Sequence, residues 1–286
     1  MFNILALVLG IAIMVFFGAS DFVGAKTSRK VGARRAAFWA LVFQAIILTT
    51  TLLIFYGVPS VQLSYIAVLV LSGVLGSAAF LSYYKGMEVG VVSIVVPIAS
   101  SWSVITVILS VIFLNQQLIF SEIVGIILLI VGGIFATSDF VRRDLKGSRF
   151  SKGLPYAIFS MLAWGLVFFI LNIMILKIGG IFSTVLLLST YWFYYLIYSK
   201  ATGQKLSIPF GIIPYALAIG LFETIGITSY TLGVDAGNVL IMAPLVASAP
   251  AVTIVLAHLL LKERLNKLQY VGIGSVILGL ILIAIA

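Results

Sequence analysis

A carboxyl group in the middle of an apolar run is the first residue of this chain that could do chemistry. Glu223 sits at the centre of LAIGLFETIGITSY, far from any polar stretch. An ionisable side chain at membrane depth costs roughly 2.5–3.5 kcal/mol on insertion scales, which neighbouring leucines and isoleucines can offset. Such a group must face protein or a wet cavity, and it suits a carboxyl that carries a proton or binds a cation. Gly226 and Tyr230 follow three and seven positions later, on the same helical face. The plainer alternative is a protonated glutamic acid that ties two helices together.

Aromatic rings come next. Trp102 and Trp164 lie near the centres of two other apolar runs, and Tyr83 lies towards the end of a third. Trp and Tyr usually gather at membrane interfaces. Central ones can wall a cavity and stack on a substrate, or hold a cation over the ring face; helix packing is the competing explanation. Ser101 and Ser248 supply hydroxyls in proline-loosened runs, where Pro97, Pro244 and Pro250 each remove a backbone donor. Asn172 is a further polar candidate, and a helix–helix hydrogen bond is its alternative role. Gly86, Gly90, Gly233 and Gly237 mark short joins and complete the set of expected hinge residues. Asp21, Gln44 and His258 are set aside, Asp21 as a counter-charge to the basic residues after it. Trp39, Tyr56, Tyr191, Trp192, Tyr194, Tyr195 and Tyr198 are assigned to lipid contact.

The elements that must position these residues repeat. SYYKGMEVGVVSIVVP (82–97) and SYTLGVDAGNVLIMAP (229–244) align without a gap, 147 residues apart. The register continues through Ser101/Ser248, Thr106/Thr253, Gly125/Gly272 and Gly132/Gly279, and backwards to Gly73/Gly220 and Gly18/Gly165. Chance agreement between apolar segments pairs Leu with Val, not Gly with Gly. The chain is a duplicated half.

A composition 63% hydrophobic and 9% charged excludes a soluble domain. Cysteine is absent and His258 is the single histidine, so neither a metal site nor a cofactor is expected. At about 1.5 Å per residue the apolar runs make ten spans. They lie near 3–24, 36–56, 64–86, 89–114, 119–137, 155–177, 180–198, 212–234, 238–261 and 268–285. Met1 to Asp21 lacks the basic start of a secretory signal and reads as the first span. Of 17 lysines and arginines, all but Lys177 fall in the joins after odd-numbered spans. Those joins are therefore cytoplasmic and both termini outside. The formal charge of +9 accordingly reports topology, and no nucleic-acid partner is expected. The expected fold is an all-α polytopic membrane protein whose ten helices form two five-helix repeats. The repeats cover 1–137 and 155–286, with a cytoplasmic linker at 138–154. Five spans per half is odd, so the second repeat must be inverted.

FFGASDF (16–22) and AWGLVFF (163–169) resemble the openings of the two halves in EamA-like transporters of the drug/metabolite transporter superfamily. PIASSWSVITVILSVIFLNQQL (97–118) and PLVASAPAVTIVLAHLLLKERL (244–265) are similar to that family's fourth and ninth helices, and LKERLNKLQYVGIGSVILGLILI (261–283) to its ending. Asn115, Gln116 and Gln117 stand where the second half has Lys262, Glu263 and Arg264, so the acidic turn occurs once. The resemblance implies export of small metabolites or amino acids across a plasma membrane.

No nucleotide-binding loop or soluble domain is present to drive a pump. The leading class is a secondary transporter, either an exporter coupled to protons or a facilitated path. An uptake permease of the same fold is the alternative, and a channel or passive scaffold is a third class. A membrane-embedded enzyme is remote, because the eight acids are scattered and HExxH is absent. The partners expected are a small-molecule substrate and the bilayer, with the chain a monomer or weak homodimer.

Overall fold

In a computed structural model, residues 4–89, 95, 98–114, 117–136, 149–203, 205–236, 239–261 and 265–285 are described. They form ten helices: α1 Ile4–Val31, α2 Ala33–Thr51, α3 Leu63–Val89, α4 Trp102–Phe113, α5 Phe120–Ala136, α6 Arg149–Ile178, α7 Gly180–Ala201, α8 Ile213–Asp235, α9 and α10 Lys267–Ile285. Helix α9 is broken at Ser248 into Val239–Ala247 and Ala249–Leu261. Seven helices are long and apolar enough to cross a membrane alone; Ile98–Phe113, Phe120–Phe135 and Lys267–Leu282 are the shorter three. Isoleucine and phenylalanine side chains stand exposed along most helices, as lipid-facing surface requires.

Helices run further than the apolar pattern alone indicates. Helix α1 continues through Lys26 to Val31, and α2 starts two residues later. The turn between them is Gly32, at φ 89, ψ 142, and its counterpart Gly179 joins α6 to α7 at φ 94, ψ 144. A side chain is strained there, so glycine makes this one-residue corner possible. Gly86 and Gly233, expected as join residues, lie inside the last turns of α3 and α8. There they admit neighbours: an added Cβ at Gly86 would press on Tyr156 and Val95, and one at Gly233 on Met242. Gly90, Pro97 and Gly237 lie outside the described residues.

Matched glycines hold the two halves together. A Cβ on Gly165 would stand 2.6 Å from Ile105 Cβ, and one on Gly18 would stand 2.7 Å from Val252 Cβ. Thr106 Oγ1 donates to the Gly165 carbonyl at 3.0 Å, and Thr253 Oγ1 donates to the Gly18 carbonyl at 3.0 Å. Gly73 packs on α7 as Gly220 packs on α2. Small residues let the backbones approach this closely. Helices α5 and α10 occupy equivalent places and pack on each other. Gly132 meets the Gly272 carbonyl, while Gly279 meets that of Gly125. Residue numbers rise along α5 as they fall along its partner, so equivalent helices run antiparallel. The repeats are inverted.

Candidate functional site

Helices α1 and α8 build the acidic part of the site. They pack along much of their length because Gly226 accepts the Phe17 ring of α1, while Phe16 meets Phe222 at 5.9 Å. This brings buried Ser20 against half-buried Glu223, and Ser20 Oγ donates to Glu223 Oε1 at 2.6 Å. A hydroxyl-to-carboxyl bond this short is of the strong, charge-assisted type when the acid is ionised. Asp21, one residue beyond, is exposed, and it acts electrostatically on Glu223. Tyr83 of α3 feels both acids. Its ring lies 5.3 Å from that of Trp164 on α6, and both rings are half-buried. The Ser20–Glu223 contact of α1 and α8 and the Tyr83–Trp164 contact of α3 and α6 therefore lie within electrostatic reach of each other and of Asp21. Such a set can hold a proton or an organic cation.

A second group is closed. Trp102, at the start of α4, stacks on Phe168 of α6 with centroids 4.2 Å apart. Phe168 meets the Tyr230 ring edge-on at 5.5 Å, and the Tyr230 hydroxyl donates to Asn172 Oδ1 at 2.7 Å. Trp102 is 5% exposed and Tyr230 and Asn172 are 0% exposed. The Asn172 amide nitrogen is buried and has no hydrogen-bond partner among the described residues.

Two helix breaks lie beside this group. Pro250 cannot donate to the Val246 carbonyl, and α9 breaks two residues before it, at Ser248. The Ser248 amide is shared between the Pro244 and Leu245 carbonyls at 3.2 and 3.3 Å. At the matched position, Ser101 tightens to a bond with the Ile98 carbonyl at 3.1 Å, and α4 proper begins at the next residue. A cavity of about 10 Å³ lies between the two breaks, lined by Ser100, Ser101, Gly133 and Pro250 among others. That is room for about one water and far below a substrate's needs. The Ser248 hydroxyl is turned onto its own helix, donating to the Leu245 carbonyl at 2.7 Å. It presents no donor to a cavity.

A model of the EamA-like transporter family matches residues 4–138 and again 151–285. The chain belongs to that family. Its two EamA domains are the two repeats seen above. An uncharacterized protein of Methanocaldococcus jannaschii is 32% identical over 138 residues, spanning 44% of this chain and 92% of that one. That relative is about the size of one repeat. A solved crystal structure shares the fold at a TM-score of 0.80 and 12% identity, covering 97% of this chain and 96% of that one. This EamA protein is thus a multi-pass membrane transporter with a small-molecule substrate.

Several of this transporter's residues are placed differently from expectation. Asp21, read as a counter-charge to the basic residues after it, lies within electrostatic reach of Glu223 and Tyr83, on a helix that continues past it to Val31. Tyr191 and Tyr195, assigned to lipid, are 5% and 1% exposed. Both pack on Phe80, and the Tyr195 hydroxyl donates to the Arg34 carbonyl at 3.0 Å. Trp39 is likewise spoken for, its indole N–H donating to the Leu206 carbonyl at 2.7 Å. Ser20 is not singled out by its own sequence context. The signal for it and for Asp21 is the difference between matched openings: FFGASDF is polar where AWGLVFF carries Val167 and Phe168.

Proposed function

We propose that this EamA-family protein is a secondary transporter that exports small metabolites, amino acids among them, by alternating access. The carrying observation is the Ser20–Glu223 contact inside the membrane, with Asp21 and Tyr83 in reach. Two acids in a low-dielectric setting repel each other and draw in a positive partner. A proton and an ammonium-bearing substrate would compete for the same carboxyls, and that competition couples one flux to the other. Tyr83 and Trp164 supply aromatic walls for the substrate's cation or apolar body. Breaks at Ser101 and Ser248 let α4 and α9 bend where the halves must move.

The placement of lysines and arginines puts both termini outside the plasma membrane and the 138–154 linker in the cytoplasm. On this reading the repeats are 1–137 and 155–286. The test starts with a thermal-shift screen of the purified protein against amino acids, polyamines, sugars and nucleosides, since a bound ligand raises apparent stability. Flux of the stabilising compound is then followed in proteoliposomes under a pH gradient. Glu223→Gln is expected to abolish gradient-driven flux and keep substrate exchange. Unchanged driven flux would contradict the role of Glu223.

A further inference from the structure

The two groups described above occupy matched positions. At the spacing of 147, Asp21 corresponds to Phe168, Tyr83 to Tyr230 and Trp102 to Ala249. Exposed Asp21 and half-buried Tyr83 thus stand where the second half has the ring contact Phe168–Tyr230. Trp102 and Ala249 are each the first residue after a helix break, so the stacking indole of one half is a methyl in the other. Backbone packing differs in the same sense. Helix α6 packs against α8, whereas among the described residues α1 and α3 make no comparable approach. In an inverted repeat, matched positions lie on opposite sides of the midplane.

We propose that Trp102, Phe168, Tyr230 and Asn172 form the closed outer mouth of the transport path, and that Asp21 and Tyr83 mark its open cytoplasmic mouth. The proposal rests on the alternating-access reading above. Opening the outer mouth requires the Trp102–Phe168 stack to part and the Tyr230–Asn172 bond to break. The buried Asn172 amide, lacking a partner, gains one when water or substrate enters. Closing the inner mouth brings α3 onto α1 and covers Asp21. The short break at Ser101 is the pivot that carries Trp102 away, since α4 can swing there without loss of regular helix bonds.

Because the chain contains no cysteine, single thiols report accessibility without background. Asp21→Cys and Asn172→Cys would be labelled with a membrane-impermeant maleimide in right-side-out and inside-out vesicles. The proposal expects Asp21→Cys to react from the cytoplasmic side about tenfold or more faster than Asn172→Cys reacts from outside. Adding Trp102→Ala to each should raise outside labelling at 172 about tenfold and lower cytoplasmic labelling at 21, as a shift between two states demands. Trp102→Phe keeps an aromatic stack and should leave both rates near the parent values. Monodisperse elution of each variant shows that it is folded; if Trp102→Ala does not fold, Phe168→Leu takes its place with the same expectation. Ready outside labelling at 172 in the parent, or a rise at 172 with no fall at 21, would overturn the proposal. These rates do not depend on Glu223 chemistry, so a failed Glu223→Gln flux test and a failed labelling test are distinguishable.

Discussion

One architectural position in this protein exists twice, once as an acid and once as an aromatic ring. On the first repeat Asp21 is exposed and lies within electrostatic reach of Tyr83 and Glu223, the latter bonded to Ser20. On the second, Phe168 meets Tyr230 edge-on and Trp102 stacks on it, with Trp102, Tyr230 and Asn172 buried and Phe168 half-buried. The helix crossings beside both are matched bond for bond, as Thr106–Gly165 and Thr253–Gly18 show. Duplication preserved the frame and let side chains diverge. Identical sites would give two mouths of equal stability; unequal sites bias the molecule towards one of two states. The glycine corners and threonine bonds are the shared frame, and the acid-for-ring exchange is what makes the halves different.

The sharpest way to break the comparison is to exchange the chemistries. Phe168→Asp should lower stability by about 3 kcal/mol, since it places a charge among rings at membrane depth. Asp21→Phe, at an exposed position, should cost only about 0.5 kcal/mol; reversible denaturation in mixed detergent measures both. Equal costs would mean the two positions are not in different environments. Next in size are the shared crossings. Gly165→Val and Gly18→Val each force apart a helix pair, for roughly 1–3 kcal/mol apiece, and the same denaturation assay should find the two similar. Smallest is the loss of the matched threonine bonds. Thr106→Val and Thr253→Val should each cost about 0.6 kcal/mol, the usual worth of an interhelical hydrogen bond in a bilayer. A large effect at one threonine and none at the other would show that the frame is not symmetric.

Much of this fold is legible in the sequence because its signals are repeated. Ten apolar runs, glycines matched at one spacing and basic residues confined to alternate joins point to inverted repeats before any coordinate is known. Gly18, Gly73, Gly132 and their partners turn out to be the crossings between the halves. Glu223 is legible too, since an acid amid isoleucines must face something polar, and it faces Ser20. Asp21 is not, because it stands five residues before Lys26, and proximity in sequence suggests charge balance. Only the packing of α1 on α8 brings it into electrostatic reach of Glu223. Tyr191 and Tyr195 mislead for a related reason. Aromatic-rich helix ends commonly face lipid, yet α7 packs between α2, α3 and α6, which buries that face. Asn172 and Tyr230 were each visible as candidates, but not that they bond to each other in a closed group.

Distances between matched helix pairs test the central claim most directly. Spin labels at Lys26 and Lys85 report the α1–α3 gap, and labels at the equivalent Ile173 and Leu232 report α6–α8. Double electron–electron resonance on the otherwise cysteine-free chain should find the 26–85 distance longer than the 173–232 distance. The Trp102→Ala change should reverse that order. Equal distances in the parent, or two distances that lengthen together when Trp102 is removed, would contradict a molecule whose two mouths are unequal and open in turn.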